Sequence, residues 1–429
     1  MKKVLFFAPY FVPRRRVGAL RPFKFAAHLK KMGWKVSVVT IASTGVKMSD
    51  REKEMINGVD IWPINPPFDR TTSNGNSGNN KIPASHLFQK VSTFIDKQTP
   101  LDTWIYLFIA RYFKILKTAK AVDPDVVWAT GDPWSGLWMG NKISKNLGVP
   151  FVADFRDPWT LSSFSLRERS DISNHIDKKA EKRIIEDADK IIYTSKSDQQ
   201  MYTEYYNLKD SKTATIYNSF DPQLMSHSES VDWNYKMNRS SLHILFFGEF
   251  RRLSPVYPVL DVLDEIYKQS PTKASKITIH SFGSSDDKNK KSIKRAGFAD
   301  LFIFHDPVLP ETAKIVLNSA DMLLVSTQQD RSHIVPAKLW DYLSVDKPIL
   351  SLTPNPEINE ILEQSGAGVH FYPDQKNEAA AYLKSAVDKK LNGDSLLIRK
   401  KGEVDKQKYH AESTSRQLAN ILEKLVNHE

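Results

Sequence analysis

Cysteine is absent from the chain of 429 residues. That excludes disulfides, thiolate metal sites and a cysteine nucleophile, and it fits a reducing compartment. Long apolar runs are missing too. A membrane span needs about 20 of them in a row, and the longest candidate, Trp104 to Ala110, falls far short. The opening "MKKVLFFAPYFVP" is interrupted too soon for a secretory leader. Recognition-helix, zinc-finger and RNA-binding aromatic patterns are lacking as well, so nucleic acid is not an expected partner.

Positive charge is plentiful. Lys and Arg number 61 against 50 Asp and Glu, for a net charge of +11. Such an excess suits an anionic partner, either a phosphorylated substrate or an anionic membrane face, although a solvated basic surface accounts for most of the lysines.

Short β-rich runs alternate with amphipathic segments. Strands are expected at 4–10, 35–42, 59–64, 125–130, 150–155, 190–195 and 213–218, with a helix from Ala19 to Lys31. Residues 221–241 are polar and read as a linker. The pattern then restarts at "LHILFFGEF" (242–250), with strands following at 276–283, 301–306, 321–327, 347–353 and 367–373. Alternation of this kind implies parallel sheets built from βαβ units. The expected fold is therefore α/β, with two Rossmann-like, doubly wound domains facing a cleft, and ligands at the carboxyl ends of the strands. The domains are placed at 1–220 and 242–405, and a final helical segment, 406–429, is expected to lie back across them.

Two segments stand outside this plan. Residues 69–86 are rich in Ser, Asn and Gly and read as a loop. Residues 102–122 place Ile105, Phe108, Ile109, Tyr112 and Leu116 at helical spacing, with Arg111, Lys114, Lys117 and Lys120 elsewhere. This segment is either a core-facing helix or one that lies on a membrane surface.

Candidate chemistry gathers at the strand ends. After each opening strand a glycine (Gly18, Gly248) is joined by arginines, Arg14, Arg15, Arg16 and Arg21 in one case and Arg251 and Arg252 in the other. Glycine lets backbone approach a ligand, and arginine matches phosphate geometry. In "VPAKLWDYLSVDKPIL" (335–350), Pro336 is placed to start a helix. Lys338 and Asp341 share one face of that helix, the lysine suited to phosphate and the carboxylate to ribose hydroxyls. A solvated ion pair between them is the alternative. The two D-x-D sequences, 123–125 and 187–189, precede strands and so lie at the wrong end of the sheet for a metal-bound ligand. In "VADFRDPW" (152–159), Asp154 and Asp157 either act on an acceptor hydroxyl, with Arg156 fixing one of them, or are structural, an Arg–Asp bridge with Trp159 closing the domain.

Taken as a set, "FFAPYFVP…GALR", "VADFRDPW", "ADKIIYTS" (188–195), "IYNSFDP" (216–222), "FFGEFRR" (246–252) and "VPAKLWDYLSVDKPIL" resemble the GT4-type glycosyltransferases of GT-B fold. The resemblance implies transfer of a sugar from a nucleotide diphosphate sugar with retention of configuration, with no cofactor and no required metal. It implies that Asp341 holds the donor ribose and that Arg251 or Arg252, with Lys338, binds the diphosphate. The Gly18 loop, with Arg21, would face the donor sugar or acceptor. The family carries an acidic residue eight positions before the ribose-binding carboxylate, and here that residue is His333. The expected enzyme is cytoplasmic or peripheral at the inner membrane face, acting in surface polysaccharide assembly on a glycan or lipid-linked acceptor. A nucleotide-sugar epimerase and a non-catalytic sugar-nucleotide-binding protein are the alternatives.

Overall fold

The computed structural model describes all residues except 15, 44, 67–94, 162–168, 225–236, 238, 284, 309, 329–331, 397–404 and 428–429. Thirteen strands form in the described residues, one for each expected run. Seven of them, β1 (Lys3–Phe7), β2 (Lys35–Ile41), β3 (Asp60–Ile64), β4 (Val126–Gly131), β5 (Phe151–Phe155), β6 (Lys190–Tyr193) and β7 (Thr213–Thr215), make a parallel sheet in the order β3-β2-β1-β4-β5-β6-β7. The other six make a second parallel sheet in the order β10-β9-β8-β11-β12-β13. They are β8 (Leu242–Phe246), β9 (Ile277–Phe282), β10 (Phe302–His305), β11 (Met322–Ser326), β12 (Ile349–Leu352) and β13 (Gly368–Phe371). Both sheets reverse strand order beside their first strand, the doubly wound arrangement in which ligands collect beyond the carboxyl ends. The expected α/β architecture with two Rossmann-like parts is what the chain adopts.

The chain divides into two units, Met1–Asn218 with Ala411–Glu429, and Ser219–His410. The helices that matter below are α1 (Val17–Lys31), α2 (Ile105–Ala110), α3 (Tyr112–Val122), α4 (Asp171–Asp187), α5 (Lys196–Tyr206), α6 (Lys338–Leu343) and α7 (Ala411–Val426). The final helix, α7, belongs to the first unit and packs on α1.

Burial explains the near-continuous apolar reading of the strands. All five residues of β5 and all five of β8 are buried, as covering a parallel sheet on both faces requires. The D-x-D carboxylates serve the amino edge of the first sheet. Asp125 accepts a hydrogen bond from the backbone N–H of Lys3 at 2.6 Å, and Asp189 accepts one from that of Phe151 at 2.7 Å. Asp123 pairs with the Lys3 ammonium at 3.0 Å. These acids register strands, as their position before β4 and β6 implies.

Residues 102–122 form two short helices, α2 and α3, rather than one. Ile105, Leu107, Phe108, Ile115 and Ala119 are buried, whereas Ile109, expected inside, is 55% exposed. Leu107 turns inward instead, so the buried arc of α2 leaves Ile109 on the outer face. Residues 69–86 lie outside the described residues.

Candidate functional site

In the second unit, β8 runs out at Phe246 and the chain turns at Gly248, whose φ of +137° favours glycine. The Gly248 carbonyl accepts a hydrogen bond from Ser281 Oγ at 3.0 Å. Gly283 (φ +135°) lies directly behind, where a Cβ would come within 3.3 Å of the Glu249 nitrogen. Two glycines thus allow the ends of β8 and β9 to meet closely.

Lys338 opens α6 and leans on this turn. Its ammonium sits 3.4 Å from the Phe246 ring centroid. A Cβ placed on Gly248 would be 3.6 Å from it. Phe246 is itself stacked on Phe250, centroids 4.1 Å apart, so the platform under the cation is rigid. Burial, with the nearby Arg251 guanidinium as a second cause, lowers the Lys338 pKa to about 7. Two cations held together with one of them desolvated form a setting that an anion would relieve.

The sequence reading missed what holds this arrangement. Tyr342, one turn along α6, is buried. Its hydroxyl accepts a hydrogen bond from the Phe247 N–H at 2.8 Å and donates to the Leu324 carbonyl at 3.1 Å. It pins α6 to the carboxyl ends of β8 and β11 and so aims Lys338. A tyrosine on an apolar helix face, between buried Trp340 and Leu343, gives little sign of this role in sequence. Helix α6 begins at Lys338, two residues after Pro336.

Gly248, Arg251 and Lys338 therefore come together. Arg252 is exposed and follows in the same turn, His333 is half-buried in the loop before α6, and Asp341 is half-buried one turn deeper than Lys338.

In the first unit, Arg21 and Asp154 are both buried and form a bidentate pair. Arg21 Nη2 is 2.7 Å from Oδ1 and Nε is 2.9 Å from Oδ2. Thr130 donates to the same carboxylate at 2.8 Å, and Arg21 also donates to the Tyr217 carbonyl at 3.0 Å. Asp154 is 0% exposed, and both of its oxygens are taken up by Arg21 and Thr130. The pair braces α1, β4, β5 and the chain after β7. Asp157 differs in being 55% exposed while accepting a hydrogen bond from Arg156 Nε at 3.0 Å.

Arg156 lies against Gly18. A Cβ at Gly18 would fall 2.0 Å from its Nη1, so only glycine admits the guanidinium at the N-terminus of α1. Arg14, another arginine of the turn after β1, is buried and donates to the Ala42 carbonyl at 3.1 Å; Arg15 lies outside the described residues.

Behind Asp157 stands Glu181, a buried carboxylate on α4 that the motifs did not flag. It accepts hydrogen bonds from the Thr160 N–H and hydroxyl, from Tyr202 at 2.5 Å and from Tyr206 at 3.0 Å. Burial raises its pKa above the usual carboxylate range. Trp159 stacks on Trp134 with centroids 5.0 Å apart. Among the described residues no group of three or more His, Cys, Asp or Glu could hold a metal ion.

Residues 23–224 match the model of Glycosyltransferase Family 4. The match covers just under half of the chain and agrees with the resemblance seen in the motifs; the fold of the whole chain is GT-B. Anabaena HepE, solved with UDP-glucose, is 15% identical with a TM-score of 0.61, covering 99% of this chain and 100% of that one. Sucrose-phosphate synthase from Thermosynechococcus elongatus is 14% identical with a TM-score of 0.62, covering 100% of both chains. A putative UDP-N-acetylglucosamine 2-epimerase from Listeria monocytogenes is 11% identical with a TM-score of 0.55, covering 100% of this chain and 98% of that one. No curated protein matches the chain.

Proposed function

We propose that the chain is a retaining glycosyltransferase that moves a sugar from a nucleotide diphosphate sugar to a glycan or lipid-linked acceptor in surface polysaccharide assembly, on the cytoplasmic side of the membrane. The donor binds in the second unit and the acceptor in the first. One observation carries this reading: the half-buried Lys338, its ammonium held over Phe246 beside Gly248 with Arg251 near enough to lower its pKa. A diphosphate supplies the missing negative charge, and Gly248 lets it approach the backbone.

Asp341 takes the ribose hydroxyls, Arg251 or Arg252 shares the diphosphate with Lys338, and no cofactor or metal is required. These cations stabilise the leaving nucleoside diphosphate as the glycosidic bond breaks, which is electrostatic assistance at the point where charge develops. The acceptor oxygen forms the new bond on the face that the leaving group vacates, and its proton passes to the departing phosphate. Asp157, exposed and fixed by Arg156, orients the acceptor. UDP is the first nucleotide to try, because HepE was solved with it.

The test is a thermal-shift screen of nucleoside diphosphates and their sugars, followed by incubation of the stabilising donor with and without acceptor. A transferase stabilised by a diphosphate consumes donor to make a glycosylated acceptor. Conversion of donor to a new sugar without acceptor would establish an epimerase instead, and binding without any turnover would leave a non-catalytic binding protein.

A further inference from the structure

We propose that the outer face of α2 and α3 docks the first unit onto an anionic lipid bilayer. The inner face of these helices is spent on the core, through Ile105, Leu107, Phe108, Ile115 and Ala119. Outside, Tyr106 is 60% exposed, Ile109 55% and Phe113 83%. Their spacing of three and four residues puts all three on one stripe. Lys117 and Lys120 continue that stripe, with Arg111 and Lys114 at its flank, all exposed. Residues 103–122 contain no Asp or Glu. An apolar, aromatic half joined to a cationic half, without an opposing acid, fits the boundary between acyl chains and phosphate headgroups.

Neighbouring segments extend the surface. Ile95 is 42% exposed and Ile172, on α4, 73%. The two segments are stitched together: Arg169 donates to the Asp96 carbonyl at 3.0 Å, the Ser170 N–H to that of Lys97 at 3.1 Å, and the Leu101 N–H to Asp177 at 2.5 Å. Tyr106 in turn lies 3.4 Å from the Thr99 hydroxyl, hydroxyl to hydroxyl. Charge of a single sign along α2 and α3 themselves favours a bilayer of anionic lipid as occupant over a second copy of the chain, which would set these cations against each other. The use of such docking rests on the proposed lipid-linked acceptor, but docking itself requires neither donor nor turnover.

Co-sedimentation of the full chain with phosphatidylcholine vesicles, with and without phosphatidylglycerol, tests this. Binding to the anionic vesicles alone, released by salt, is expected. Phe113→Ser should weaken it about tenfold. Lys117→Glu with Lys120→Glu should weaken it at least twentyfold, since each surface cation contributes about fivefold. Both variants should keep the unfolding midpoint, because the altered side chains are exposed. No binding, equal binding to neutral vesicles, or variants that bind like the parent would overturn the proposal. So would a dimer, seen without lipid, that Phe113→Ser dissolves. Turnover on a soluble acceptor, measured in parallel, separates failure of docking from failure of the transferase reading.

Discussion

The ammonium of Lys338 rests 3.4 Å from the Phe246 ring centroid, and its pKa is lowered to about 7. An ordinary lysine titrates near 10.4. Between about pH 7 and 10.4 the unfolded chain therefore holds a proton that the folded chain has released, and stability rises with pH across that window. Below it both states are protonated, and folding bears the whole cost of burying the charge. A bound diphosphate reverses the preference by pairing with the ammonium. Binding should take up a proton at pH values above about 7, and affinity should fall as pH rises. Titration calorimetry in buffers of different ionisation enthalpy measures that uptake. Lys338→Met should abolish it, whereas uptake that persists in the variant would assign the proton elsewhere.

Lys338 and Asp341 should separate by ligand. Lys338→Ala should weaken nucleoside diphosphate more than nucleoside, because only the former carries the charge that the lysine meets. Asp341→Ala should weaken both by one to two orders of magnitude, at about 1.4 kcal/mol per tenfold. If the two residues merely decorated a helix surface, both variants would lose a little stability and bind nucleotide unchanged. Isothermal titration of each variant against the two ligands separates these outcomes.

Arg21 and Asp154 should matter to folding. Removing one partner of a buried ion pair costs about 3–5 kcal/mol, because the other charge is left buried without compensation. Arg21→Ala and Asp154→Ala should each lower the denaturation midpoint sharply, by similar amounts. If Asp154→Asn kept the parent's stability and lost only turnover, Asp154 would be catalytic rather than a brace.

Legibility in the sequence followed the physics of each element. The central strands were readable because a parallel sheet covered on both faces demands unbroken apolar runs such as "VLFF" and "ILFF". Gly18, Gly248 and Lys338 were readable because each sits where a strand hands over to the next element. The meaning of Asp154 was not. A carboxylate at a strand's carboxyl end looks the same whether it faces a ligand or Arg21, a residue 133 positions away. Tyr342 and Glu181 were silent for a similar reason: their partners come from distant segments, and nothing in their local pattern marks them. Along α2 and α3, the helical period was visible, but which edge of the apolar arc turns inward, Leu107 rather than Ile109, was not.

Turnover should survive a strong chelator, as expected if Lys338 and the neighbouring arginines neutralise the diphosphate. The check is a donor-consumption assay with and without EDTA. Activity lost to EDTA and restored by magnesium would show that a metal does this work.

Gly18 offers the sharpest test of the first unit. An added methyl would lie 2.0 Å from Arg156 Nη1 and 2.8 Å from its Cζ. The guanidinium is the end of a flexible side chain, so it can swing away, but doing so breaks its hydrogen bond to Asp157. Gly18→Ala should cost stability only modestly, about 1 kcal/mol, while kcat/KM falls at least tenfold as Asp157 loses its orientation. Adding Arg156→Ala removes the clash and should restore stability to the level of Arg156→Ala alone. It should not restore turnover, because nothing then fixes Asp157. Thermal unfolding and steady-state kinetics on the two single variants and the double variant provide the comparison. Recovery of turnover in the double variant would show that Gly18 serves only to make room, and that Arg156 and Asp157 have no part in orienting the acceptor.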